Sequence, residues 1–261
     1  SMNSFRIALS GLKGGHSGDD IDKGRGNSNK LLNRFLRYGT REFGLRLAQF
    51  DGGNLRNAIP REAFAIFGVS AGCVKPMLER FETYKAEITA EFQMTESSLE
   101  VTLAEEPAPA QVVDEVTQRR LVNAVCGVPN GVLAMSSAMP GLVETSTNLA
   151  SVKFPEPGRI VVTTSQRSSV GSARDEAAAS VRAVFDLAGA RVIHSDGYPG
   201  WNPNPGSRLL KVAEQTYERL FGHAPKVRAI HAGLECGLFL EKYPHLEMVS
   251  FGPTLRGVHS P

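Results

Sequence analysis

Several short strings supply residue types that do chemistry. In Gly14-Gly15-His16-Ser17-Gly18 the flanking glycines let the backbone bend sharply and leave an imidazole projecting from a loop, where it either meets a substrate or is simply solvated. No G-x-x-x-x-G-K-[ST] string follows, so these glycines do not make a phosphate loop. Gly68-Val69-Ser70-Ala71-Gly72 matches G-x-S-x-G at an expected strand-to-helix junction, the setting of a nucleophile elbow, which makes Ser70 a rival catalytic residue of a serine hydrolase. Only three expected strands precede it and no HGGG-like oxyanion loop is evident, so the cap of the next helix is the plainer reading of Ser70. Asn54-Leu55-Arg56-Asn57-Ala58-Ile59-Pro60-Arg61 is a pre-proline segment expected to be extended, with amide and guanidinium groups able to hold a carboxylate or a carbonyl. Gln166-Arg167-Ser168-Ser169 places Arg167 where a strand gives way to a helix; a surface ion pair is the plainer alternative.

Two more strings lie toward the C-terminus. His231-Ala232-Gly233-Leu234-Glu235-Cys236-Gly237 and Gly252-Pro253-Thr254-Leu255-Arg256-Gly257-Val258-His259 each follow an expected strand, the position at which open α/β sheets place ligands. Gly233 could offer its backbone N–H to a ligand. His259 could ligate zinc, but a zinc site needs three or four ligands and no upstream carboxylates and histidines stand at ligand spacing.

The elements that must position these residues follow from periodicity. Phe5, Ile7 and Leu9 alternate, and Asn27 can cap a helix carrying Leu31, Leu32, Phe35 and Leu36. Leu45 and Leu47, then Phe64 to Val69, mark two strands joined through Asp51-Gly52-Gly53-Asn54. Val74, Met77, Phe81, Tyr84, Ile88 and Phe92 predict a long amphipathic helix, and Leu99, Val101 and Leu103 alternate again. The first 105 residues thus predict a split βαββαβ, two-layer α/β unit. The next ninety read as a looser echo of it: a helix over 113–125, strands near 131–136, 143–151 and 158–165, a helix with Ala177, Val181, Val184 and Ala188, and a strand over 191–194. No sequence repeat is visible.

The breaker run Gly197 to Gly206 is the expected domain boundary, dividing the chain into 1–205 and 206–261. Beyond it a helix with Leu209, Ala213, Tyr217 and Leu220 ends at Gly222, Val227–Ile230 and Met248–Phe251 predict strands of a parallel sheet, and Glu235–Tyr243 a helix. That α/β segment is too short to close its own core.

Composition narrows the class. The 261 residues are 41% hydrophobic and 21% charged, enough for one large or two smaller folded domains. The balance of 29 Lys and Arg against 27 Asp and Glu, with the cations scattered, speaks against nucleic acid as a partner. No apolar run approaches the roughly 20 residues of a membrane span, and there is no basic-then-apolar leader. Cys73, Cys126 and Cys236 are an odd, scattered set without a C-x-x-C pair, which fits a reducing cytoplasm. Ser1 before Met2 reads as a cloning remnant.

Taken in order, GLKGGHSGDDIDKGRGNSNKLLNRFL, GGNLRNAIPREAFA, VETSTNLASV, YPGWNPNP, TYERLFGHAPKVRAIHAGLECGLF and MVSFGPTLRGVHSP resemble the aminoacyl-histidine dipeptidases, co-catalytic zinc metallopeptidases related to the aminoacylases. The resemblance covers essentially the whole chain. It implies a lid and dimerisation domain over 1–205 and the closing part of a catalytic domain over 206–261. It also implies a cytoplasmic homodimer that hydrolyses Xaa-His and other unblocked dipeptides, with a water activated by two zinc ions and a glutamate taking its proton. His259 matches the last zinc ligand, and His16 the lid histidine that stabilises the oxyanion in the partner subunit's site. Asn57 matches a second lid residue crossing the dimer, Arg167 the holder of the substrate's terminal carboxylate, and Gly233 a backbone contact to substrate. The family's H-x-D motif, paired glutamates and remaining ligands have no counterpart here. The chain is therefore expected to be a fragment, inactive alone and without stably bound zinc, or else a stand-alone dimerisation module.

Overall fold

The computed structural model describes residues 2–195, 197, 199–201, 204, 206–229 and 235–252. Its element order begins β1 (Met2–Ser10), α1 (Ser28–Glu42), β2 (Arg46–Gly52), β3 (Ala63–Ser70), a short 3-10 turn (Ala71–Cys73), α2 (Val74–Phe92) and β4 (Glu100–Glu106), the βαββαβ sequence expected from periodicity. It continues with α3 (Glu115–Gly127), β5 (Gly131–Met135), β6 (Val143–Glu156), β7 (Arg159–Ser168), α4 (Gly171–Leu187), α5 (Arg208–Phe221) and α6 (Glu235–Lys242).

All seven strands join one antiparallel sheet in the order β4-β1-β3-β2-β6-β5, with β7 on the other side of β6. The looser echo is thus an extension of the first sheet: Gly52 of β2 pairs with Val152 of β6. Alternation sets the faces. Phe5, Ile7 and Leu9 sit opposite Phe67, Ala65 and Ala63, all buried toward the helices.

Helix α1 owes its start to Asn27, whose side chain accepts from the amides of Asn29 and Lys30. The same side chain donates to the carbonyl of Leu149 on β6 (2.9 Å), so one residue starts a helix and fixes it to the sheet. Leu31, Leu32, Phe35 and Leu36 fill the space above the strands, and α2 and α3 close it with Met77, Phe81, Tyr84, Leu121, Val122 and Val125. Each such side chain contributes about 1.5–3 kcal/mol by leaving water. Tyr84, fully buried, donates to the Leu31 carbonyl (2.7 Å), tying α2 to α1. Both halves share one core: Leu149, Val152, Val181 and Phe185 belong to the same cluster as Phe5 and Phe67.

Three expected strands are corrected. Residues 191–194, 227–229 and 248–251 are not strands; Ile230 lies outside the described residues. A strand exists only against a hydrogen-bonding neighbour, and among the described residues none of these segments has one. Helix α5 forms as expected and ends on Gly222 in the left-handed conformation (φ 74°). It buries none of its residues and exposes Leu220 and Phe221. No helix among the described residues is long and apolar enough to cross a membrane.

Candidate functional site

The loop between β1 and α1 is held from within. Buried Glu96, just beyond α2, accepts from the amides of Lys13 and Gly26 (both 2.8 Å) and so closes the two ends of the loop. Inside it Arg25 donates to the Gly14 carbonyl (2.6 Å) and pairs with Asp20 (3.1 Å), whose other oxygen accepts the His16 amide (2.9 Å). Gly15 is required there: its φ is +124°, and a Cβ would lie 2.1 Å from Arg25 Nη1 and 2.5 Å from Asp20 Oδ2.

This loop pairs with the segment after β2. His16 and Ala58 form an antiparallel bridge, closed by Ser17 N–H to Asn57 O (2.8 Å) and Ile59 N–H to Gly15 O (2.8 Å). The His16 ring accepts through Nδ1 from the amides of Gly18 (3.1 Å) and Asp19 (3.3 Å). Backbone N–H groups only donate, so these contacts favour the tautomer of the neutral ring with its proton on Nε2, as a donor, while the Asp19 carboxylate lies 3.9 Å from Nδ1.

Arg167 comes to the same place from the other half of the sheet. It sits opposite Ser146 in the β6–β7 ladder, and a Cβ placed on Gly18 would lie 3.7 Å from its Nη1 and 3.0 Å from the His16 ring. Its Nε is buried and has no partner among the described residues. Burial lowers the guanidinium pKa and nearby Arg56 acts in the same direction, while Asp19 opposes them. Such a desolvated cation beside a second one is suited to an anion. Arg56 donates to the Ser195 hydroxyl (3.3 Å), and Arg56, Asn57 and Arg167 are among the residues lining an open cleft of about 1740 Å³ along β7 and α4.

Of the residues expected from sequence, His16, Asn57 and Arg167 are brought together. Gly233 and His259 lie outside the described residues. Among the described residues no three His, Cys, Asp or Glu side chains converge as a metal site, so those residues by themselves do not fit a zinc centre. Ser70 stands apart: β1 and β3 pair Leu9 with Ala63 near the His16 loop and Met2 with Ser70 at the opposite end, about 23 Å away along the strand. Its hydroxyl makes no cap bond either, so among the described residues the capping reading finds no partner.

Sequence reasoning missed Glu96, Asp20, Arg25 and Asn148. Asn148, 2% exposed, donates through Nδ2 to the Ala58 carbonyl (2.8 Å). The available signal was the run Thr145-Ser146-Thr147-Asn148, four polar residues in a row on a strand central enough to bury them all.

Residues 7–98 match the family model described as the peptidase dimerisation domain. The chain is 42% identical over its whole length to the cytosol non-specific dipeptidase of Escherichia coli (strain K12), of which it covers 53%. The crystal structure of aminoacylhistidine dipeptidase from Vibrio alginolyticus superposes with a TM-score of 0.91 over 97% of this chain and 51% of that one, again at 42% identity. Residues 7–98 are therefore similar to the peptidase dimerisation domain, and the whole chain is similar to these two dipeptidases, of which it spans about half the length.

Proposed function

We propose that the chain supplies the lid, residues 1–205, and a closing segment of the catalytic domain, residues 206–261, of a cytoplasmic zinc dipeptidase acting on Xaa-His and other unblocked dipeptides. The observation that carries the reading is the meeting of His16 and Asn57, on two paired loops, with Arg167, on β7. His16 donates from Nε2 to the scissile carbonyl oxygen as negative charge develops on it. Arg167 holds the terminal carboxylate, where its unpartnered Nε and low solvation favour an anion. Asn57 crosses to the partner subunit's site, and Gly233 offers a backbone N–H to the substrate. His259 is assigned to zinc, which supplies an activated water when bound.

The homodimer of this proposal pairs through the free edge of β7. The outer strand β4, at the far end of the sheet, carries Glu100, Glu105 and Glu106, which would repel their copies across a two-fold axis. Residues Ile160 to Thr164 of β7 are uncharged and all β-branched, suited to strand addition.

The test is a chimera in which this chain replaces the matching 53% of the Escherichia coli dipeptidase. Hydrolysis of unblocked dipeptides by the chimera, and none by the chain alone, is the expected result. A folded, dimeric but inert chimera would favour a stand-alone dimerisation module.

A further inference from the structure

We infer that Asn148 is a positioning residue that sets His16 and Asn57 against Arg167; the inference rests on the dipeptidase reading of those three. Four backbone groups face outward from the bridge between His16 and Ala58. Three are closed locally: His16 N–H to Asp20 Oδ2 (2.9 Å), Asp20 N–H to His16 O (2.9 Å) and Ala58 N–H to Leu55 O (3.2 Å). These bonds travel with their own loops and fix nothing beyond them.

The fourth, Ala58 O, accepts from Asn148 Nδ2 (2.8 Å) across ninety residues of sequence. Asn148 stands on β6 two residues after Ser146, which is Arg167's partner in the ladder. Side chains two apart on a strand share a face. One amide therefore joins the bridge that carries His16 and Asn57 to the hairpin that carries Arg167; Lys153 of β6 ties the start of the pre-proline segment through Asn54 (2.9 Å), and Asn148 braces its far end, beside His16. The side chain is buried and its Oδ1 has no partner among the described residues. An amide used at one end only is a poor way to fill a core, since the idle oxygen has lost its water. The N–H bond to Ala58 is the feature that distinguishes Asn148 from an apolar residue of similar size.

The first test needs no catalysis. In the 261-residue chain, Asn148→Leu and Asn148→Ala should speed amide hydrogen exchange at Ser17 and Ile59 roughly three- to tenfold, the weight of one net hydrogen bond, with Ile7 in β1 unchanged. Unchanged Ser17 and Ile59, or an equal acceleration at Ile7, would overturn the inference, because the first means no brace and the second only general destabilisation. In the chimera the same variants should lower kcat about 10- to 100-fold, the order expected for a misplaced catalytic group, with thermal stability retained by the Leu variant. Full turnover in a chimera that His16→Ala inactivates would also overturn it. If His16→Ala leaves the chimera's turnover intact, the dipeptidase reading fails while the exchange result still stands or falls alone.

Discussion

The Ser17 amide donates to the Asn57 carbonyl at 2.8 Å, so the histidine loop and the pre-proline segment are two rungs of one short ladder. Neither segment belongs to a named strand, yet each imposes a conformation on the other. That ladder stands beside β6 because the chain leaves β2 through Gly53, whose φ is +72° and whose Cβ, if present, would lie 1.9 Å from the Ala150 carbonyl oxygen.

Gly53→Ala should therefore be costly. The left-handed backbone and the collision with a carbonyl in β6 cannot both be relieved without moving the ladder, and a loss of about 1–3 kcal/mol is expected. Urea unfolding of the 261-residue chain measures it through a lowered midpoint at constant m; Gly44→Ala, at a positive φ but with nothing within 4 Å of the added Cβ, is the comparison for strain without collision.

Tyr84 predicts an alkaline limb in stability. Burial raises its phenol pKa in the folded state above the ordinary value near 10, outweighing the opposing effect of Arg34 and Arg80. Above about pH 10 the unfolded chain releases the proton while the folded chain keeps it, so stability is full below that pH and falls as pH rises, by up to about 1.4 kcal/mol per unit. Tyr84→Phe should flatten this contribution in pH-dependent denaturation while costing about 1 kcal/mol at neutral pH for the lost bond to Leu31.

The β7 edge predicts an oligomer that charge can dissolve. Val161→Lys puts cations near one another across paired copies of the strand, and sedimentation equilibrium should show a shift from dimer to monomer at low ionic strength, partly reversed by salt. A dimer unmoved by Val161→Lys but lost with a charge on β4 would move the interface to the other edge.

The βαββαβ unit was legible because its faces are set by local alternation: Phe5, Ile7 and Leu9 in β1 and Met77, Phe81, Tyr84 and Ile88 in α2 are spaced as their elements require. Asn27 was legible as a cap for the same local reason. Segments 191–194, 227–229 and 248–251 misled because β-branched and apolar residues state a preference for strand without supplying the neighbour that a strand needs. In the site, His16, Asn57 and Arg167 were found through their flanking strings, whereas Glu96 and Asn148 act through bonds to loops 70 or more residues away. A residue whose only distinction is a distant backbone partner leaves little trace beyond its being polar where burial is expected.

Arg167 predicts a binding effect distinct from that of His16. In the chimera, Arg167→Lys keeps the charge but loses the planar fork, so KM for dipeptides with a free C-terminal carboxylate should rise by about 10- to 100-fold, while a C-terminally amidated dipeptide should be nearly indifferent. Equal losses on both substrates would place Arg167 outside carboxylate recognition.

The most direct measurement is the turnover of the His16→Ala chimera on an unblocked dipeptide, read beside its metal content and dimer stability. Loss of a single oxyanion donor predicts a fall in kcat of about 10²- to 10³-fold with metal content and dimer stability near those of the parent chimera. Turnover equal to the parent's, or parallel losses in all three quantities, would contradict the account and leave His16 a structural residue of the ladder it forms with Ala58.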